Sequence, residues 1–271
     1  MQERDCTEMI RIRSHPIALR LFALILAVVG ILAPSLAVAA PEEIQVYQDE
    51  LSKPGETGVD LHLNSVISGK PGSDFAGGEP SLHTFRATPE FYLGLTPNLE
   101  AGLYILTSVT SDGTSTIDGQ KVRLKYIAPR PAAQAWYWGV NFEIGNVRHR
   151  FDRNPVSAEL KGIFGGEAGR FVYALNGNLD WTVSGHKPEP ASFELAAKLN
   201  YKLSDKVQAG LESYLGAGPF KALGPLKRND EFVFGVVDFD LAGHDISLGL
   251  GRNLTNLSDG WVAKAIIGSK F

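Results

Sequence analysis

Lys121, Arg123 and Lys125 stand at every second position of one segment, and in a strand that spacing puts all three basic side chains on one face. Such a triplet offers a cationic surface to an anionic solute. Glu100 lies in the segment before it and Glu143 in the segment after it, each on the polar side of its own alternation. Arg86 and Glu90 repeat the pattern upstream, and Lys198 with Glu212 repeats it downstream. Opposite charges on adjacent strands pair across a sheet. The set therefore reads either as a selectivity surface lining a channel or as a salt-bridged network filling a narrow barrel.

Other candidates for chemistry are thinner. Asp60 and His62 share a face two residues apart, but a metal or acid–base site needs a further ligand at fixed spacing. His83, His149, His186 and His244 form no H-E-x-x-H pattern, and no G-x-S-x-G nucleophile motif occurs. Gly165-Gly166 reads as a turn rather than a phosphate loop. Asp112, Asp118 and Asp259 lack the regular spacing of a calcium loop. The expectation is a protein that is not an enzyme, with no catalytic residue, no metal and no cofactor.

The elements that carry these residues are strands. Val59, Leu61 and Leu63 alternate with Asp60, His62 and Asn64. Phe85 to Leu95 and Leu99 to Ile105 follow, separated by the tight turn Thr96-Pro97-Asn98. Val122, Leu124 and Tyr126 oppose the basic triplet, and Trp136, Trp138, Val140, Phe142 and Ile144 oppose Tyr137, Asn141 and Glu143. Further strands run through Ala158–Phe164, Arg170–Val183, Phe193–Tyr201, Val207–Leu215, Glu231–Leu241, Ile246–Leu250 and Trp261–Phe271. In Glu231–Leu241 the register is ambiguous, because Phe232 and Phe234 fall opposite Val233, Val237 and Phe239. Short links alternate with longer ones along the chain. About twelve strands with such links predict an antiparallel up-and-down barrel with both ends on the short-turn side.

The first forty residues belong to a different regime. Arg11, Arg13 and Arg20 precede the apolar run Leu21–Leu32, and Ala37-Val38-Ala39 supplies small residues where a signal peptidase reads. Residues 1–39 are expected to be a cleaved signal peptide, residues 40–58 an acidic periplasmic leader with a turn of helix or a short strand, and residues 59–271 the barrel. The only cysteine, Cys6, falls in the presequence, so the mature chain has no thiol chemistry. Beyond Ala39 the chain carries 22 basic and 27 acidic residues, a net charge of −5, with no basic patch suited to nucleic acid.

Phe85, Trp181, Phe193 and Trp261 fall at the loop-side ends of the apolar face, and Tyr126, Trp136, Phe171, Tyr201 and Phe271 at the turn-side ends. Two aromatic rings mark the interfaces of a membrane barrel. Alternation alone does not say which face is inside, so a secreted soluble β-barrel binding protein stays open at this point. The phrases Leu95-Thr96-Pro97-Asn98-Leu99-Glu100-Ala101-Gly102-Leu103 and Leu203-Ser204-Asp205-Lys206-Val207-Gln208-Ala209-Gly210-Leu211 share the order strand, polar turn, x-A-G-L, and the final strand ends on Phe271. With the signal peptide and the alternation, these make the mature chain resemble the small Gram-negative outer-membrane barrels, in the broad group of porin-like and MetA-pathway-like barrels. The resemblance implies an outer-membrane location, short periplasmic turns, longer extracellular loops, and lipid and lipopolysaccharide as surroundings. It also implies recognition of the last strand, through Phe271 and Ile267, by the barrel-assembly machinery. Its functional implication is a passive pore or transporter for small solutes; a non-conducting structural or adhesion barrel is the alternative.

Overall fold

The computed structural model describes residues 43–73, 75–185, 190–219, 231–255 and 260–271. The expected signal peptide, His186, Asp259 and most of the connection after Ala217 lie outside these residues. Twelve strands form one closed antiparallel barrel. They are β1 (Thr57–Ser68), β2 (Phe85–Thr96), β3 (Leu99–Val109), β4 (Ser115–Ile127), β5 (Trp136–Val147), β6 (Val156–Ala168), β7 (Phe171–Ser184), β8 (Ser192–Lys202), β9 (Val207–Pro219), β10 (Glu231–Leu241), β11 (His244–Asn253) and β12 (Trp261–Lys270). Each strand pairs with its neighbours in sequence, and β12 closes on β1 with Leu61 opposite Ile267. The shortest strands have ten residues and the longest fourteen, enough to cross a bilayer's hydrocarbon core when tilted.

Burial settles which face is inside. Along β2 the apolar Phe91, Leu93 and Leu95 are exposed, whereas Arg86, Thr88, Glu90 and Tyr92 between them are buried. The same inversion holds on β4, where Val122 and Leu124 are exposed and Arg123 and Lys125 are buried, and on β5, where Trp136, Trp138, Val140 and Phe142 flank buried Asn141 and Glu143. A water-soluble barrel would carry the opposite polarity. Rings at the turn end touch around the outside: Tyr126 with Trp138, Trp136 with Phe164, Phe164 with Tyr173, and Phe171 with Tyr201.

Three details depart from the sequence reading. β4 begins at Ser115, with an irregularity opposite Leu106 and Thr107, so the loop-side link 110–114 is shorter than the turn-side link 128–135. β6 runs on to Ala168, so Gly165 and Gly166 are strand residues and not a turn; a Cβ on Gly165 would come within 2.2 Å of the Tyr137 hydroxyl. The ambiguous β10 turns Phe232, Phe234 and Val236 inward and Val237 outward. An apolar inward face there needs an apolar partner within the lumen.

That partner is the segment before β1. Residues 43–52, expected as part of a periplasmic leader, lie inside the barrel instead, with Ile44, Val46, Tyr47 and Ser52 buried and no helix or strand among them. Ile44 packs with Val66, Phe234, Val236 and Val262 near the loop end, and Ser52 meets Glu100 at the turn end. The segment thus runs along the barrel axis as an internal strap. Gly94 leaves room for it, since a Cβ there would meet the Lys53 carbonyl at 2.1 Å.

Candidate functional site

The lumen collects the charged residues singled out in the sequence. Arg86, Glu90, Glu100, Arg123, Lys125, Glu143, Lys198 and Glu212 are all buried and inward-facing, and Lys121 is half-buried on the same face. Burial of so many charges requires that they be paired and hydrogen-bonded.

Two clusters meet that requirement. In the first, Arg123 on β4 reaches over β3 to Glu90 on β2, and its Nη2 lies 2.7 Å from Glu100. Its next-strand partner in register is Glu143, which it does not bind. The reach is possible because Gly102 lies between; a Cβ there would meet Arg123 Cγ at 2.7 Å and Glu90 Oε1 at 2.9 Å. Glu90 also takes His62 Nε2 at 3.2 Å, so His62 serves this network and is not paired with Asp60. In the second cluster Glu212 on β9 lies 3.2 Å from Lys198, its cross-strand neighbour, and also binds Lys264 of β12. Lys198 bridges to Asp238 on β10 at 2.6 Å.

Glu143 and Lys125 turn to the strap instead. The Tyr47 hydroxyl lies within hydrogen-bond reach of three oxygens, the Tyr104 hydroxyl at 2.7 Å, Glu43 Oε1 at 2.8 Å and Glu143 Oε1 at 3.1 Å, and its one proton goes to one of them at a time. Lys125 Nζ donates to the Glu50 carbonyl at 2.8 Å. Lys161 sits 4.0 Å above the Tyr47 ring and Lys125 at 5.2 Å, both within cation–π range of it. Arg86 stands nearer the loop end, stacked 5.3 Å over Phe151.

Between the strap and the wall contributed by β1 to β4 and β8 to β12 a cavity of about 350 Å³ remains, reaching the turn-end rim at Asp205, Lys206 and Lys270. Carboxylates outnumber basic side chains nine to five along it. Among the described residues no group of three His, Cys, Asp or Glu side chains is placed to hold a metal ion.

Sequence reasoning missed the strap and everything keyed to it. Tyr104 and Asn176 were assigned to their strands without a role; inward parity was their only signal. Tyr47 carried no signal, because an irregular segment has no periodicity to read.

A closed barrel with charges inside, aromatics and aliphatics outside, and a strap along its axis can be compared with known structures. No protein-family model matches the chain and no curated protein does. Among solved structures it is similar to the COG4313 outer membrane channel from Pseudomonas putida F1, at 14% identity and a TM-score of 0.56 over 84% of this chain and 100% of that one. This chain has the closed up-and-down β-barrel fold of that channel. The KdgM porin is also similar, at 8% identity and a TM-score of 0.52 over 79% of this chain and 99% of that one. At such identities the likeness is one of fold, and this barrel's lumen chemistry rests on its own residues.

Proposed function

We propose that the protein is an outer-membrane channel for small solutes, with a bore narrowed by its own strap and with ion-paired charges lining the wall. The observation that carries this reading is the charged cavity of about 350 Å³ beside the strap, which a barrel serving only as a packed scaffold would fill with side chains. The two solved structures above are a channel and a porin by name, which supports the same reading. Arg123 and Lys125 are committed to Glu90, Glu100 and the strap, which argues against their free contact with an anionic solute. Glu90, Glu100, Glu212 and Asp238 are committed in the same way, and the further carboxylates along the cavity, Asp60, Asp205 and Asp245 among them, favour cations instead. Purified barrel in a planar bilayer should give small conductance steps, with the reversal potential in a salt gradient displaced toward the cation. A folded, heat-modifiable barrel that gives no steps would remove the reading.

One observation favours the alternative of a non-conducting barrel. The loop half of the lumen is filled by Ile44, Val66, Phe234, Val236 and Val262 on one side and by Tyr104, Leu106, Val147 and Phe151 on the other. The same bilayer experiment separates the two. The reading also assigns the last strand to recognition by the barrel-assembly machinery, and the outer apolar face to contact with outer-membrane lipid and lipopolysaccharide. Phe271 supports it by standing exposed beyond β12 with only its backbone tied, Phe271 N donating to the Thr57 carbonyl at 2.9 Å.

A further inference from the structure

The wall holds the strap chiefly by its main chain. The Asn176 side chain clamps one residue at both ends: Tyr47 N–H donates to Asn176 Oδ1 at 2.6 Å and Asn176 Nδ2 donates to the Tyr47 carbonyl at 3.0 Å. Lys264 Nζ donates to the Ile44 carbonyl at 2.9 Å, Lys125 Nζ donates to the Glu50 carbonyl, and Glu100 accepts from Ser52 N at 2.7 Å. Main-chain bonds of this kind accept any sequence, and side-chain pockets then supply preference, the division of labour by which proteins hold extended peptides.

Two such pockets are present. Ile44 enters an aliphatic and aromatic one formed by Val66, Phe234, Val236 and Val262. Three residues on, Tyr47 enters another formed by Ile127, Tyr137 and Ile163, with its hydroxyl reaching Tyr104 and Glu143. The small Ala174 and Ala196 admit Val46 between them. Gln45 and Gln48 face the open cavity.

We propose that the lumen is a binding site for extended peptides, occupied in this structure by residues 43–52 of the chain itself. Its ligand class is a peptide with an aliphatic residue followed three positions later by tyrosine. The proposal rests on the reading of the barrel as a solute channel, to which it adds a class of solute. The strap then acts as an internal ligand that a solute peptide of the same pattern must replace.

The test uses the full chain. A sequence-specific protease site is inserted between Pro54 and Gly55, which are exposed at the turn-end rim, and the folded barrel is cut there. A fluorescein-labelled synthetic peptide of residues 43–52 is added, and binding is followed by anisotropy, with release of the native segment followed by mass. The cut barrel should take up the peptide saturably and the uncut barrel should not. Uptake should weaken about tenfold or more when the peptide carries N-methyl tyrosine at position 47, which removes the N–H given to Asn176, and again when Tyr47 is replaced by alanine. Changes at Gln45 and Gln48 should alter it less than about twofold. A native segment that never leaves, or uptake indifferent to both tyrosine changes, overturns the proposal. Conductance of the same cut barrel keeps the two readings apart. Uptake without conductance removes the channel and leaves the peptide site, and conductance without uptake does the reverse.

Discussion

Arg123 shows how a single buried charge is held and what its loss would do. Its guanidinium joins Glu90 and Glu100, and Glu90 is shared with His62, so one cation on β4 organises carboxylates on β2 and β3. Replacing Arg123 with alanine leaves two buried carboxylates without their cation, a loss that typically costs about 3–5 kcal/mol. The expected outcome is a marked fall in the urea midpoint of the folded, heat-modifiable band. An unchanged midpoint would mean that water already screens the pair. The residue types of this network were legible from alternation, since Glu90, Glu100 and Arg123 all fell on the polar face. The pairing was not. Cross-strand adjacency points to Glu143, and only the notch at Gly102 explains why Arg123 reaches Glu90 instead.

At the scale of elements, strand existence followed from period-two alternation, while boundaries failed where local geometry intervened. In β4 the register slips between the partners of Leu106 and Thr107, and in β6 Gly165 and Gly166 continue the strand where the Tyr137 and Tyr173 side chains pass over them and leave no room for a Cβ. The β10–β11 hairpin places Ala242 at φ 55° and Gly243 at φ 84°, the two positive angles a tight hairpin needs, though alanine is not a residue that advertises such a turn. β12 lends itself to a direct test. Phe271 is 74% exposed, so Phe271→Ala removes little packing. If its ring serves assembly, the variant should reach the outer membrane in severalfold lower amount, while the assembled fraction keeps its wild-type melting temperature on gels. Equal lowering of yield and melting temperature would make Phe271 an ordinary structural residue.

For the whole molecule, the inverted polarity is the dominant fact. Val122 is 50% exposed near the middle of β4 and its outward face is expected to meet lipid, so Val122→Arg should cost about 2–4 kcal/mol near the membrane midplane and deplete the folded form. Gln208→Arg, facing the aqueous cavity, should be tolerated. A soluble barrel would rank the two the other way. The amino-acid sequence by itself determined the strands and roughly how many there are, their alternating faces and the charged set on the polar side, because side-chain direction in a strand has a strict period of two. Tertiary structure alone decided which face is interior, which charges pair, and that the segment before β1 lies within the bore. These depend on closure of the barrel. Closure brings β12 onto β1 and sets Ile44, Tyr47 and Ser52 against residues from strands far along the chain, contacts that leave no local periodicity to read.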